Sequence, residues 1–167
     1  MANPTYDNPM RIPRILKVVV HSCVGESGAP LEKAMKILEE LTGAKPCIRR
    51  AKRTIRDFGI HRGEPISCMV TLRGVKAVEF LKKALAAVGN KIKASSFDEY
   101  GNFSFGIKEH LDIPGVKYKP ELGTIGMDIC VHIGRPGYNV ARMGRKHRVT
   151  REEAINFMKE AFGVEII

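Results

Sequence analysis

The segment at residues 65–73 has a strictly alternating pattern that restricts the possible folds. Its apolar side chains are Ile66, Cys68, Val70 and Leu72, and they are separated by Ser67, Met69, Thr71 and Arg73. Alternation of this kind predicts a β-strand with one dry face and one polar face. The dry face needs a layer of helices to cover it, and the polar face is left for solvent or for a binding partner.

A dense basic run leads into this strand. Residues 45–63 hold +6 of the total formal charge of +10, because seven basic side chains stand against one acid, Asp57. The seven are Lys45, Arg49, Arg50, Lys52, Arg53, Arg56 and Arg62. Arginine predominates, and its planar guanidinium matches phosphate oxygens. The run therefore indicates an anionic partner, and a solvated surface loop without a ligand is the alternative.

The remaining periodic segments predict an α+β fold in a single domain of 167 residues. Further strands are expected at residues 15–24, 46–50, 103–107 and 125–133, and helices at 30–43, 75–88 and 151–163. This order favours a mostly antiparallel sheet with the helices packed on one face and a polar face on the other. Because the basic run leads into this polar face, we expect it to be an RNA-binding face. Residues 1–13 are interrupted by prolines and predict an extended N-terminal arm, and residues 51–64 and 134–149 predict two basic loops.

The positive charge is confined to two places. Residues 135–151 carry six basic side chains and no acid, so this cluster and the first each hold +6, and the rest of the chain sums to −2. A localised charge of this kind is typical of a nucleic-acid footprint. A membrane is not expected as a partner, because no apolar run approaches the roughly 20 residues that span a bilayer. The N-terminal residues lack an apolar signal segment, which predicts an intracellular protein.

Signals for metals, cofactors and catalysis are weak. Cys23, Cys47, Cys68 and Cys130 stand singly without the C-x-x-C spacing of zinc sites, so we expect four reduced, structural thiols and neither a metal nor a cofactor. Ser27 lies in a GESG turn that matches neither a phosphate loop nor a nucleophile elbow. The glycines and arginines of GRPGYNVARMGRKHR could clasp a nucleotide but lack the context of a phosphate-binding motif. We expect no enzyme.

Three stretches resemble the universal large-subunit ribosomal protein five family. They are TGAKPCIRRAKRTIRDFGIHRGEPISCMVTLRG at residues 42–74, FDEYGNFSFGIKEH at 97–110 and GMDI at 126–129. The similarity covers about residues 10–165. The longer stretch HIGRPGYNVARMGRKHRVTREEA resembles the archaeal and eukaryotic branch, since bacterial members have a shorter and less basic segment there.

This resemblance implies a structural constituent of the large ribosomal subunit in the cytoplasm. Such a protein binds 5S rRNA and attaches it to the large-subunit rRNA in the central protuberance. It also contacts the P-site tRNA through a loop and lies beside neighbouring large-subunit ribosomal proteins. An RNA-binding assembly or processing factor outside the mature ribosome is the alternative, and an enzyme acting on a nucleotide is a third.

Site residues follow from the resemblance by position. The 5S rRNA-binding set is His21, Arg49, Arg50, Lys52, Arg53, Thr71 and Arg73. The tRNA-contacting loop is residues 54–64, with Arg56, His61 and Arg62. The second basic loop supplies other rRNA contacts through Arg135, Arg142, Arg145, Lys146 and Arg148. His21 is a departure from bacterial relatives, which usually have asparagine at this position, although either side chain can form a hydrogen bond.

Overall fold

A five-stranded antiparallel sheet forms the centre of the protein. The structure is a computed structural model, and it describes residues 8–137, 144 and 147–167. The strands are β1 (Arg14–Cys23), β2 (Cys47–Arg50), β3 (Pro65–Leu72), β4 (Lys91–Ile92), β5 (Phe103–Ile107), β6 (Met127–Gly134) and β7 (Glu165–Ile166), and the helices are α1 (Ala29–Thr42), α2 (Gly74–Ala87) and α3 (Arg151–Phe162). The sheet order is β2-β3-β1-β6-β5, and each pairing is antiparallel. The predicted α+β class is confirmed.

One core lies between the inner face of this sheet and the three helices. Val18 and Val20 of β1 and Ile129 of β6 are fully buried there, together with Leu38 of α1 and Leu81 of α2. Burying one such side chain stabilises the fold by about 1.5–3 kcal/mol. The alternation in β1, β3 and β6 therefore fixes which face of the sheet meets the helices.

The helix ends follow local sequence signals. Gly43 ends α1 and Gly163 ends α3, both in the left-handed conformation that glycine favours. At the start of α3, the Thr150 hydroxyl accepts from the Glu153 backbone N–H, and the Glu153 carboxylate accepts from the Thr150 N–H at 3.1 Å. These two reciprocal hydrogen bonds form a capping box at the start of α3.

Two details differ from the sequence expectations. β4 and β7 form a small parallel pair that was not predicted, because two residues are too few to show a period. The apolar face of α3 was expected to consist of Ala154, Phe157, Met158 and Ala161; Ala154 and Met158 are buried as expected, whereas Ala161 is exposed. None of the helices in the described ranges is long and apolar enough to cross a membrane.

Candidate nucleic-acid interface

The face of the main sheet turned away from the helices is called the outer face here. Directly paired residues of antiparallel strands project to the same side, so the register identifies its members. Thr71, Val19, Cys130 and Ser104 form one row across four strands, and Met69, His21 and Asp128 form the next row. Lys17 stands opposite His132 in a third row. On the opposite face α1 packs against β3 and α2 against β1, and α3 adds Ala154 and Met158 to the same core.

His21 and Asp128 lie side by side in the second row of this face, on the neighbouring strands β1 and β6. The His21 Nδ1 and Asp128 Oδ2 atoms are 4.0 Å apart, and both side chains are solvent-accessible. A long, exposed ion pair of this kind contributes little to stability. His21 is thus held near a carboxylate but keeps an accessible imidazole for a ligand.

His132 lies in a hydrogen-bonded chain at the β5 side of the outer face. Its Nδ1 lies 2.5 Å from Asn102 Oδ1, and the Asn102 amide donates to Asp98 Oδ2 at 2.8 Å. Burial lowers the pKa of His132, and the positive charge of Lys17 lowers it further, whereas Asp98 raises it. The imidazole is therefore neutral near pH 7 and is committed to this chain.

The seven residues expected to bind 5S rRNA occupy two neighbouring regions. His21 and Thr71 lie on the outer face, and Arg49 on β2 reaches the same face, where its Nε donates to Met69 Sδ at 2.9 Å. The remaining four are exposed at the β2 edge or just beyond β3: Arg50, Lys52, Arg53 and Arg73. Ser67, expected on the exposed polar face, is buried because it lies between its paired neighbours Cys23 and Arg49.

The loop at residues 54–64 is called the finger here, and it is a small hairpin. Ile55 and Ile60 exchange two backbone hydrogen bonds of 2.9 and 3.1 Å. Between them runs a single 3-10 turn, Arg56–Phe58, that Gly59 ends in the left-handed conformation. Phe58, at the tip, is 75% exposed. The predicted tRNA-contacting residues Arg56, His61 and Arg62 are all exposed along this hairpin.

The base of the finger is tied to the rest of the protein through Glu64. The Glu64 carboxylate accepts from the His61 backbone N–H at 2.9 Å and from the Ser27 hydroxyl at 3.0 Å. These two hydrogen bonds, that of His61 first, lower the pKa of Glu64. Ala51 adds backbone hydrogen bonds to Glu64 and Gly63, of 2.8 and 2.9 Å. Ser27 thus has a structural role as a hydroxyl donor.

Arg135 occupies a position that the sequence did not indicate. Its side chain is only 4% exposed, and its guanidinium donates to Arg11 O at 2.6 Å, Arg148 O at 3.2 Å and Glu153 Oε1 at 2.8 Å. It joins the N-terminal segment, the end of the second basic loop and the start of α3. A guanidinium so enclosed has little surface for RNA, so we assign Arg135 the structural role of joining these three segments.

The rest of the second basic loop is described only in part. Arg148 is partly exposed, and its Cζ lies 5.4 Å from the centre of the Tyr100 ring. Arg142, Arg145 and Lys146 lie outside the described residues. Their expected contacts with rRNA stay predictions.

The four cysteines are free thiols with different environments. Cys68 faces the core, and burial raises its pKa to about 11. Cys23, Cys47 and Cys130 are exposed, although we expected structural positions for all four, because each projects from the outer face. Within the described ranges no group of three or more His, Cys, Asp or Glu side chains is arranged to hold a metal ion.

Sequence reasoning did not identify three contacts of this surface. Asp128 is the neighbour of His21, Asn102 holds His132, and Tyr100 carries Arg148. Alternation places Asp128 and His132 on the outer side of their strand, but it contains no information about which distant strand lies beside them. The D-x-x-G-N pattern at residues 98–102 was a usable signal for a tight turn.

Comparison with known proteins agrees with this architecture. The family model described as "Ribosomal protein L5" matches residues 8–61, and the model for the C-terminus of the same ribosomal family matches residues 65–157. The large ribosomal subunit protein uL5 of Sulfurisphaera tokodaii is 55% identical over 100% of this chain and 99% of its own. That of Aeropyrum pernix is also 55% identical, over 96% and 88% respectively. That of Nitrosopumilus maritimus is 44% identical over 97% and 98%. The resemblance to the archaeal and eukaryotic branch is confirmed, and the chain belongs to the ribosomal protein L5 family.

Proposed function

We propose that this protein binds 5S rRNA with its outer face and β2 edge and attaches that RNA to the large-subunit rRNA, while the finger contacts the P-site tRNA. Membership of the ribosomal protein L5 family makes the chain a structural, non-enzymatic constituent of the large ribosomal subunit. The choice of RNA partners and of the contacting residues is our proposal.

The observation that carries the proposal is the outer face itself, which the described helices leave open and which a basic edge continues. Folded RNA is recognised through its shape, its 2′-hydroxyls and its unstacked bases. Thr71, His21 and Ser104 on this face offer hydrogen-bonding groups that can reach RNA hydroxyls and base edges. Such a face can select one RNA shape over another.

General affinity is assigned to the exposed cations beside this face. Six of them lie outside the finger, along β2 and its flanks or just beyond β3: Lys45, Arg49, Arg50, Lys52, Arg53 and Arg73. If each neutralises one phosphate, counterion release gives a slope of roughly −4 to −5 in a plot of log affinity against log salt. Binding to any RNA should share this slope, because phosphates carry no sequence information.

The finger is assigned to the tRNA on the basis of its shape. It extends beyond the sheet as a two-strand hairpin, and Phe58 is exposed at its tip beside the cationic Arg56. An exposed aromatic ring next to arginine suits a nucleic-acid surface.

Filter binding with two RNAs tests the proposal. The wild type is titrated with 5S rRNA and with an unrelated RNA of equal length over a range of salt concentrations. The variant Thr71→Ala/Arg73→Ala should lose at least tenfold of its preference for 5S rRNA, since the loss of even one hydrogen bond to a charged group costs roughly 1.5–3 kcal/mol and about 1.4 kcal/mol corresponds to a factor of ten. Lys83→Ala, which removes the same charge from the exposed side of α2, is the matched control and should retain the preference.

Two results would contradict the proposal. Equal losses of affinity for both RNAs in the double variant would mean that the outer face does not select. A salt slope near zero would remove the electrostatic footprint. Recovery of the protein in purified mature large subunits separates a ribosomal constituent from an assembly or processing factor.

A further inference from the structure

The turn at residues 97–103 is firmly anchored at both ends. Phe97 and Phe103 are buried, their rings stack with centres 4.9 Å apart, and their backbones form a β-bridge. The ends of the turn therefore move only with the core.

Asp98 braces the inside of the same turn. Its Oδ1 accepts from the backbone N–H groups of Tyr100 at 2.9 Å and Asn102 at 2.7 Å, and its Oδ2 accepts from the Asn102 amide at 2.8 Å. Asn102 in turn bonds His132 on the outer face. Both carboxylate oxygens are engaged, so the backbone between Asp98 and Asn102 has one defined shape.

The back of the turn is pressed against α3. A Cβ atom added at Gly101 would lie 2.8 Å from Ala154 Cβ and 3.1 Å from Val149 Cγ1. Val149 ends the second basic loop, and Ala154 lies in the first turn of α3. Hydrogen bonds thus fix the shape of the turn, and packing against Val149 and Ala154 fixes its position.

Tyr100 stands at the tip of this rigid turn. Half of its surface is exposed, and the Arg148 guanidinium lies 5.4 Å from its ring centre, within cation–π range. Exposed aromatic residues are common and mean little singly. The Tyr100 ring, however, is held in place by the hydrogen-bonded turn. The Arg148 guanidinium that lies over it comes from the positively charged second basic loop.

We propose that Tyr100 and Arg148 form a platform on which one unpaired base of a ribosomal RNA stacks. This inference rests on the proposed RNA-binding function and adds a site outside the outer face. Bases stack on aromatic rings and on guanidinium planes with little dependence on sequence. Asp98 and Glu99, which directly precede Tyr100 in the chain, are both acidic and disfavour a phosphate at this point, which favours a base. The base could belong to 5S rRNA or to the large-subunit rRNA.

Intrinsic fluorescence gives a direct test. The chain contains no tryptophan, so Tyr100→Trp introduces a single indole at the platform. Tyr118→Trp is the matched control, because Tyr118 is exposed to a similar extent, 57%, but lies elsewhere on the surface. Its neighbour Lys119 forms an ion pair with Glu40 on α1. Each variant is titrated separately with 5S rRNA and with large-subunit rRNA. We expect quenching of the indole at position 100 by one of these RNAs and unchanged emission at position 118.

Affinity measurements complete the test. Tyr100→Phe should bind as the wild type does, whereas Tyr100→Leu, which keeps an apolar side chain without a ring, should lose about tenfold of the affinity for the RNA that quenches. Arg148→Gln should show a smaller loss. Equal affinities of the Leu and Phe variants would overturn the platform.

The two proposals fail in different ways. Binding of both RNAs with undiminished emission at position 100 would overturn the platform and leave the proposed function standing. Absence of binding to either RNA would overturn the proposed function and the platform together.

Discussion

Gly101 illustrates how a single residue fixes the contact between two elements. Its φ of +75° is unfavourable for other residues, and its missing side chain lets the turn approach Ala154 of α3. Gly123 has nearly the same φ, +74°, but an added Cβ there would meet no atom within 4 Å. The same substitution at Gly123 and at Gly101 therefore separates the cost of backbone strain from the cost of steric overlap.

Gly123→Ala should destabilise the protein by about 1 kcal/mol through backbone strain alone. Gly101→Ala should cost about 1–3 kcal/mol more, because the clash with Ala154 and Val149 adds to the same strain. Urea denaturation measures both free energies of unfolding. Equal losses for the two variants would show that the turn can move away from α3.

His110 makes the stability of the fold depend on pH. It is buried, and its Nδ1 accepts from the Ile125 N–H at 3.3 Å, which only the neutral imidazole can do. Burial lowers the pKa of His110, and Glu109 opposes this in part. The native state therefore binds a proton less readily than the unfolded state, and the free energy of unfolding falls as the pH drops below about 6.5, the ordinary imidazole pKa.

His110→Asn tests this origin of the pH dependence. Asparagine offers an acceptor oxygen close to the position of Nδ1 and does not titrate, so the variant should lose less stability between pH 7 and pH 5 than the wild type. His132, whose pKa is also lowered, contributes equally to both proteins. The measurement is the unfolding free energy at each pH. Parallel pH profiles for wild type and variant would remove His110 as the cause.

At this scale, the sequence predicted the inward and outward residues of β3 and β6 well. It could not predict the partners of His21 and His132, because these depend on the register between distant strands. Nor could it predict the burial of Arg135, since arginine in a basic loop is normally exposed. Burial here depends on Arg11 and Glu153, which are far away in the chain.

The finger shows the same division at the scale of elements. Its basic composition and glycines predicted a loop between two strands, and those strands are present. Its hairpin pairing of Ile55 with Ile60 was not predicted, since two residues leave no measurable period. Strands β4 and β7 were not predicted for the same reason, since each has only two residues. Both ends of α3 were predicted, because the residues that cap a helix are local sequence signals.

Replacement of residues 56–62 by a short Gly/Ser linker should separate the finger from the rest of the surface. The backbone bonds of Ala51 to Gly63 and Glu64 lie below the cut, so the melting temperature and the affinity for 5S rRNA should change little. Retention of P-site tRNA on reconstituted ribosomes should weaken. Arg56→Ala/Arg62→Ala in the intact finger is the control that isolates charge from shape.

Loss of 5S rRNA binding by the linker variant, at an unchanged melting temperature, would assign the finger to the 5S site. Its mobility in the free protein is a related expectation. The finger buries few apolar groups, so we expect faster backbone hydrogen exchange there than in β1.

For the whole molecule, the central feature is that its two faces have different roles. The inner face of the sheet is covered by helices and stabilises the fold, and the outer face is the surface that we propose binds RNA. Composition alone indicated an anionic partner but could not distinguish one nucleic acid from another. The family match adds the ribosome, and the register shows which residues share the outer face.

The natural cysteines allow a direct test of this division. Cys23, Cys47 and Cys130 are exposed on the outer face, and Cys68 is buried in the core. Lys83→Cys adds a reporter thiol on the exposed side of α2. Alkylation rates at each thiol are measured by peptide mass spectrometry with and without 5S rRNA. Burial already raises the pKa of Cys130, so each thiol is compared only with itself.

Bound RNA should cover the outer face and bring phosphates near it, and both effects slow alkylation, because the thiolate is the reactive form. The account predicts that 5S rRNA slows alkylation of Cys23, Cys47 and Cys130 at least severalfold and leaves the thiol introduced by Lys83→Cys unchanged. Unchanged alkylation of the three natural thiols together with protection of the introduced one would contradict it.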